Sequence, residues 1–272
     1  MTTLSTEHIP APSGTAGFGV TTKAIAVRTA RKILRSPQIL GISIVQSVVF
    51  LLMFRYILGG AIGITGVEYV DFLVPGFVVS GLLFTAGGAC VAVAEEAASG
   101  LYDRLRSLPI SDWAVLAGRG LADAFLMFVV AMVTTAVGFL IGFRIDATVG
   151  DIVLALVLLV VFATSVACVF VWLGLVAGNA QAAQGLSILA VPFSFISSAF
   201  VPIATMPGWI QWFAKAQPLT FWVNSWRGLL LGDPAVQSFD HALSYYIVGG
   251  LIWAVVLVAI FSPLALRAYR RR

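Results

Sequence analysis

The chain has 272 residues, 60% of them apolar and only 10% charged, with a net charge of +4 and a mean hydropathy of +1.01. A soluble domain carries about 25% charged residues. This composition therefore excludes a chain whose main solvent is water, and the basic excess reads more simply as the positive-inside bias of a membrane protein than as a nucleic-acid footprint.

Residues 1–19 are rich in Thr, Ser, Pro, Gly and Ala and hold no apolar stretch, which predicts a mobile tail rather than a signal peptide. From Val20 the character changes. Arg28, Arg31, Lys32 and Arg35 recur at i, i+3, i+4 and i+7, on one helical face, while Val20, Ala24, Val27, Ala30 and Leu34 fall mostly on the other. That is a basic amphipathic helix suited to an anionic membrane surface, and Pro37 ends it.

The hydrocarbon core of a bilayer is about 30 Å thick and takes roughly 20 apolar residues per helix. Six runs are long enough: 39–58, 72–94, 121–142, 152–177, 186–203 and 245–266. Backbone groups in lipid must be paired internally, so the spans are helices or a closed barrel. Runs such as 152–177 lack the alternating polarity of barrel strands. With the N-terminus in the cytoplasm, twelve of the sixteen Lys and Arg residues fall on the inner side, leaving Arg55, Arg144, Lys215 and Arg227 outside. Both termini are thus expected inside.

Two connections are patterned. In 95–120, Leu101, Leu105 and Leu108 recur at i, i+4 and i+7, predicting a short amphipathic helix over 99–108 with Asp103, Arg104 and Arg106 exposed, ended by Pro109. In 204–241, Met206-Pro207-Gly208 opens a short helix bearing Trp209, Trp212 and Lys215. Pro218 interrupts it, and a second short helix carrying Arg227 runs to a Gly232-Asp233-Pro234 turn. The pair predicts an outer, partly re-entrant hairpin with tryptophans at headgroup level.

Catalytic and metal-binding chemistry finds no footing. His8 and His241 have no metal-ligand spacing with other His or Cys residues, and Cys90 and Cys168 sit in apolar runs as small packing residues. Ser187 lacks a histidine inside the bundle. The stretch from Gly14 to Lys23 puts Val20 where a phosphate loop needs Lys. The span centres hold no Asp, Glu or Lys for ion coupling. Asp123 lies near the inner end of the third span, with Arg119 four residues earlier as a helical partner. Gly138-x3-Gly142 and Gly174-x3-Gly178 allow close helix approach. Pro192 kinks the fifth span ahead of Ser194, Ser197 and Ser198. That span is either a packing helix or a pathway wall offering hydroxyls and Phe193, Phe195 and Phe200 to an amphiphile.

Together these features resemble the membrane permease subunit of type-2 ABC exporters, particularly the daunorubicin-resistance-like drug-efflux permeases. Two motifs carry the resemblance. One is Glu96-x3-Gly100-x3-Arg104-x-Arg106-Ser107-Leu108-Pro109-Ile110; the other is Val201-Pro202-x4-Pro207-x-Trp209, followed by Gln217-Pro218-Leu219-Thr220 and Arg227-x4-Gly232. The resemblance implies an all-α integral membrane protein organised as a tail (1–19), an interfacial helix (20–37), a six-span permease domain (38–266) and a basic cytoplasmic tail (267–272). It implies that the helix after the second span is a coupling helix pressed by an ATPase, with Glu95, Glu96, Gly100, Leu101, Asp103, Arg104, Leu105, Arg106 and Pro109 at that contact. The interfacial helix with Arg28, Arg31, Lys32 and Arg35 touches the same partner. Phe193, Ser194, Ser197 and Ser198 are candidates for the substrate path, and Pro202, Pro207, Trp209, Pro218 and Arg227 for the outer hairpin.

Fewer than forty residues precede the first span and only a short basic tail follows the last. A separate cytoplasmic ABC ATPase, carrying ATP and Mg, is therefore expected, with no cofactor or metal in this chain. A second permease copy, identical or not, membrane lipid and a hydrophobic or amphiphilic substrate complete the expected partners, in a bacterial plasma membrane. Export of a drug, antibiotic or lipid is the leading expectation. A permease for a cell-surface polysaccharide or glycolipid, and a non-transporting scaffold or sensor recruiting a cytoplasmic partner through 95–120, remain open beside it.

Overall fold

The computed structural model describes residues 17–35, 37–58, 68–232, 235 and 239–271. Most of the expected tail, Asp233 and Pro234 of the expected turn, and Arg272 lie outside them. Among the described residues there is no strand, and eleven α-helices carry the chain.

Helix α1 (Phe18–Leu34) ends with Arg31 and Lys32 in its last turn, where positive charge meets the negative end of the helix dipole. Arg28, Arg31, Lys32 and Arg35 are all exposed. Val20, Val27 and Leu34 are exposed, and the buried face is Thr21, Thr22 and Thr29, packed mainly against α5. Helix α2 (Pro37–Met53) begins with proline at its first position, where no N–H is required, and runs on into a π-helical turn over Phe54–Leu58.

Four helices are long and apolar enough to cross a membrane: α3 (Tyr69–Ala98), α5 (Asp112–Leu140), α6 (Val149–Ala177) and α11 (Leu243–Arg271). Thr148 and Asp151 cap the start of α6 reciprocally, each side chain bonding the other's backbone N–H. Helix α3 is the central post, contacting α5, α6, α7 and α10. Both glycine pairs divide their work. Gly138 lies against Val74, and Gly174 against the Cys90 carbonyl and Val93, both on α3, whereas Gly142 and Gly178 follow the ends of their helices at positive φ.

The expected fifth span, 186–203, is not one helix. It divides into α7 (Ala180–Ile188) and α8 (Ala190–Phe195), and the chain then turns back through residues 196–202. The physical reason is close backbone contact. The Ala199 backbone presses onto α3 at Gly76, leaving no room for a side chain there. After a 3-10 turn at Ile203–Thr205 come α9 (Gly208–Ala216), with Trp209 and Trp212 exposed, and α10 (Pro218–Leu231), which is buried throughout.

Candidate functional site

The helix expected over 99–108 forms as α4 (Leu101–Arg106). Gly100 separates it from α3 at φ 71°, a left-handed conformation that costs an L residue about 1–2 kcal/mol and glycine almost nothing. The Ser99 hydroxyl donates to the Glu96 carbonyl at 2.9 Å and the Ser107 hydroxyl to the Arg104 carbonyl at 2.8 Å, so both ends of the short helix are tied.

The leucine triplet is only partly the buried face. Tyr102 and Leu105 are buried, Leu101 is half-buried, and Leu108 is 51% exposed. Tyr102 and Leu105 join Val115 of α5, Leu175 of α6 and Leu266 and Tyr269 of α11 in one apolar cluster. The rings of Tyr102 and Tyr269 meet edge to face at 5.5 Å. Arg106 is half-buried rather than exposed. It pairs with Asp103, lies 5.5 Å from the Tyr269 ring, and donates to the Arg270 carbonyl at 3.3 Å. Arg270 in turn pairs with Asp112 at the start of α5, at 2.8 Å. Glu95, Asp103, Arg104, Leu108, Pro109 and Trp113 remain exposed at this end of the bundle.

Directly behind α4 lies a buried ionic cluster that the sequence shows only in fragments. The Arg119 guanidinium pairs with Glu96 of α3 and, through Nε, with Asp123 one helical turn on at 2.9 Å. It also donates to the Ala89 carbonyl at 3.4 Å. Lys32 of α1 reaches the other Glu96 oxygen at 2.9 Å. The Tyr102 hydroxyl donates to Glu96 at 3.4 Å. Burial pushes the Tyr102 phenol far above its usual range, so it stays a neutral donor. Two carboxylates and two cations thus balance, and they join α1, α3, α4 and α5 at one point. The i, i+4 spacing reveals the Arg119–Asp123 pair, but Glu96 and Lys32 are 64 positions apart and nothing local links them.

The expected outer residues fall together elsewhere. Pro207 precedes α9 and Pro218 opens α10, while Pro202 lies in the turn between α8 and the 3-10 segment. Arg227 is buried with its guanidinium 3.7 Å over the Phe72 ring. It donates to the Phe72 and Ser198 carbonyls at 2.9 Å each, and to the Asn224 side chain at 3.1 Å. Ser194, Ser197 and Ser198 are buried too. Their hydroxyls donate to Ala190 O, Ser194 O and the Asn224 side chain respectively, so all three serve the break in the chain. Phe193 is half-buried and meets Phe213 edge to face at 6.0 Å. Among the described residues no three His, Cys, Asp or Glu side chains gather to hold a metal.

Residues 21–231 match the ABC-2 type transporter family. The chain is 35% identical over 231 residues to the daunorubicin resistance ABC transporter permease protein DrrB1 of Streptomyces coeruleorubidus, covering 84% of this chain and 78% of that one. It is 26% identical over 235 residues to the probable doxorubicin resistance ABC transporter permease protein DrrC of Mycobacterium tuberculosis, covering 84% and 80%. A third similarity, 24% over 199 residues, is to ABC transporter G family member 20 of Dictyostelium discoideum, of which it covers 26%. With four helices of membrane-spanning length and a family match across most of its sequence, this chain is a multi-pass membrane permease of the ABC-2 type transporter family.

Proposed function

We propose that the chain is the permease subunit of an ATP-driven exporter, moving a hydrophobic or amphiphilic compound out of the cytoplasm or inner leaflet. Energy enters from a separate cytoplasmic ABC ATPase carrying ATP and Mg, docked on the exposed tip around Arg104, Leu108, Pro109 and Trp113. The observation that carries this reading is the Lys32–Glu96–Arg119–Asp123 cluster. A push on α4 is transmitted through Tyr102 to the same point where α1, α3 and α5 are bolted together, so the helices move as rigid bodies rather than bending. The relatives named for daunorubicin and doxorubicin resistance support a flat, amphiphilic aromatic substrate class.

In this reading the six crossings are the four long helices, α2 with its π turn, and the broken pair α7–α8. Both termini lie in the cytoplasm of a bacterial cell. The α9–α10 hairpin is re-entrant. The Trp253 indole, ten residues into α11, donates to the Ala216 carbonyl at the end of α9 at 3.1 Å. The far end of α10 returns to the outer loop, where Asp146 N–H donates to Leu230 O at 2.9 Å. At 1.5 Å per residue the hairpin tip therefore sits about 15 Å deeper than the start of α11. A second permease copy covers the exposed apolar face of α2 and α8, and the path runs between the two.

The test is co-expression with the cognate ABC ATPase, then uptake of a fluorescent anthracycline into inverted vesicles. ATP-dependent uptake that requires both subunits is the expected result. An ATPase that fails to co-purify, or uptake that persists without ATP hydrolysis, overturns the reading.

A further inference from the structure

A groove of about 310 Å³ lies between α6, α11 and the broken pair α7–α8, floored by α3 and α10. Its walls include Leu83, Phe170, Leu189, Phe193, Trp222 and Leu257. Every lining side chain is apolar but for one polar hydrogen, the indole N–H of Trp222, and that already donates to the Gly250 carbonyl at 3.0 Å. The floor is rigid: Trp222 stacks on Phe162 with ring centres 5.0 Å apart. Three of the surrounding helices are of membrane-spanning length, so the groove is immersed in hydrocarbon.

We infer that this groove binds an acyl chain of a membrane phospholipid and holds it as a fixed structural lipid. The volume is at the lower end of the 300–1,000 Å³ of small-molecule sites. A drug-like amphiphile would leave its polar groups unpaired against walls that offer no free donor. A flexible chain without polar atoms meets no such obstacle, is supplied by the surrounding hydrocarbon, and restores the dispersion contacts that an unfilled groove would forfeit. The position gives the lipid a task. Helix α8 separates this groove from a smaller aromatic cleft lined by Phe50, Phe54, Phe77, Phe195 and Phe200. A chain in the groove braces α8 from behind, at the level where its hydrogen bonding to α7 is broken.

The inference is independent of ATP-driven export, because it is tested on the permease alone. Membranes containing the full chain are loaded with a phospholipid bearing a diazirine midway along one acyl chain, irradiated, and the adducts mapped by peptide mass spectrometry. Adducts on Phe170 and Trp222, only 6% and 2% exposed, are expected in addition to those on outward-facing residues. Adducts confined to lipid-facing positions such as Val153, Val157 and Val160 would overturn it. In a second measurement, native mass spectrometry after detergent extraction should find about one phospholipid retained per chain. Val169→Trp on α6 and Leu257→Trp on α11 should each lower retention at least tenfold, while Val191→Trp, in the aromatic cleft, should not. Retention unchanged in both filled variants, or displacement of the phospholipid by an anthracycline at micromolar concentration, would also sink the proposal.

Discussion

Arg119 holds two buried carboxylates on two helices, and its replacement separates charge balance from size. Arg119→Met keeps much of the volume but leaves Glu96 with Lys32 and the Tyr102 hydroxyl, and Asp123 with no counter-charge. Breaking a buried pair from one side costs about 3–5 kcal/mol. A large fall in the detergent melting temperature is expected, and a fall of only a degree or two would show that the cluster is hydrated. Asp123→Asn should be much milder. One Asp123 oxygen already lacks a partner, and the amide oxygen can still accept from Arg119 Nε. At Gly100, Ala must adopt φ near 71°, so Gly100→Ala should cost about 1–2 kcal/mol and loosen α4 before the bundle melts. Hydrogen exchange across 99–108, faster than in the unsubstituted chain, would register it.

Among the elements, helix α3 contains its own control. A methyl group at Gly76 would collide with the Ala199 backbone, which cannot retreat without moving the turn after α8, whereas one at Gly88 meets nothing within 4 Å. Gly76→Ala should therefore destabilise strongly, while Gly88→Ala should stabilise by up to about 1 kcal/mol through helix propensity. Opposite shifts of melting temperature from the same substitution would confirm it; equal shifts would refute the close approach. The long helices were legible because uninterrupted apolar length is a local property: α3, α6 and α11 contain the expected spans and extend beyond them, and α5 covers all but the last two residues of 121–142. The broken α7–α8 pair was not, because Pro192 signals a kink but not the contacts of Ser198, Gln217 and Arg227 that fold the chain back. In α1 the apolar stripe faces away from the bundle, the side that periodicity marks for a membrane surface, while the inward packing of its threonines on α5 is not legible from periodicity. In the candidate site, Glu96 and Gly100 stand in the motif that carries the family resemblance, and Lys32 in the basic stripe of α1. The Lys32–Glu96 pairing and the places of Tyr269 and Trp113 are not legible, since they arise only when segments distant in sequence meet.

At the scale of the whole molecule, the two polar constructions occupy opposite ends, and they should fail in different ways. The ionic cluster and α4 form the end where an ATPase is expected to press. The Arg227 clasp ties α10 to α3 and to the turn after α8 at the other end. Leu108→Asp places charge on an exposed side chain that supports no packing in the bundle, so the permease should fold and melt normally. If α4 is the docking tip, ATPase co-purification should fall at least tenfold, and transport with it. Arg227→Met leaves the tip untouched but strands the buried Ser198 carbonyl, a penalty of about 1–3 kcal/mol, and unties Phe72 from the turn after α8. The ATPase should still bind and hydrolyse ATP, while substrate moved per ATP consumed should drop, because α10 no longer follows α3. Measuring co-purification, hydrolysis and vesicle uptake on the same two variants separates docking from transmission. If Leu108→Asp keeps full ATPase binding, docking lies elsewhere; if Arg227→Met loses ATPase binding, the two ends are not mechanically distinct.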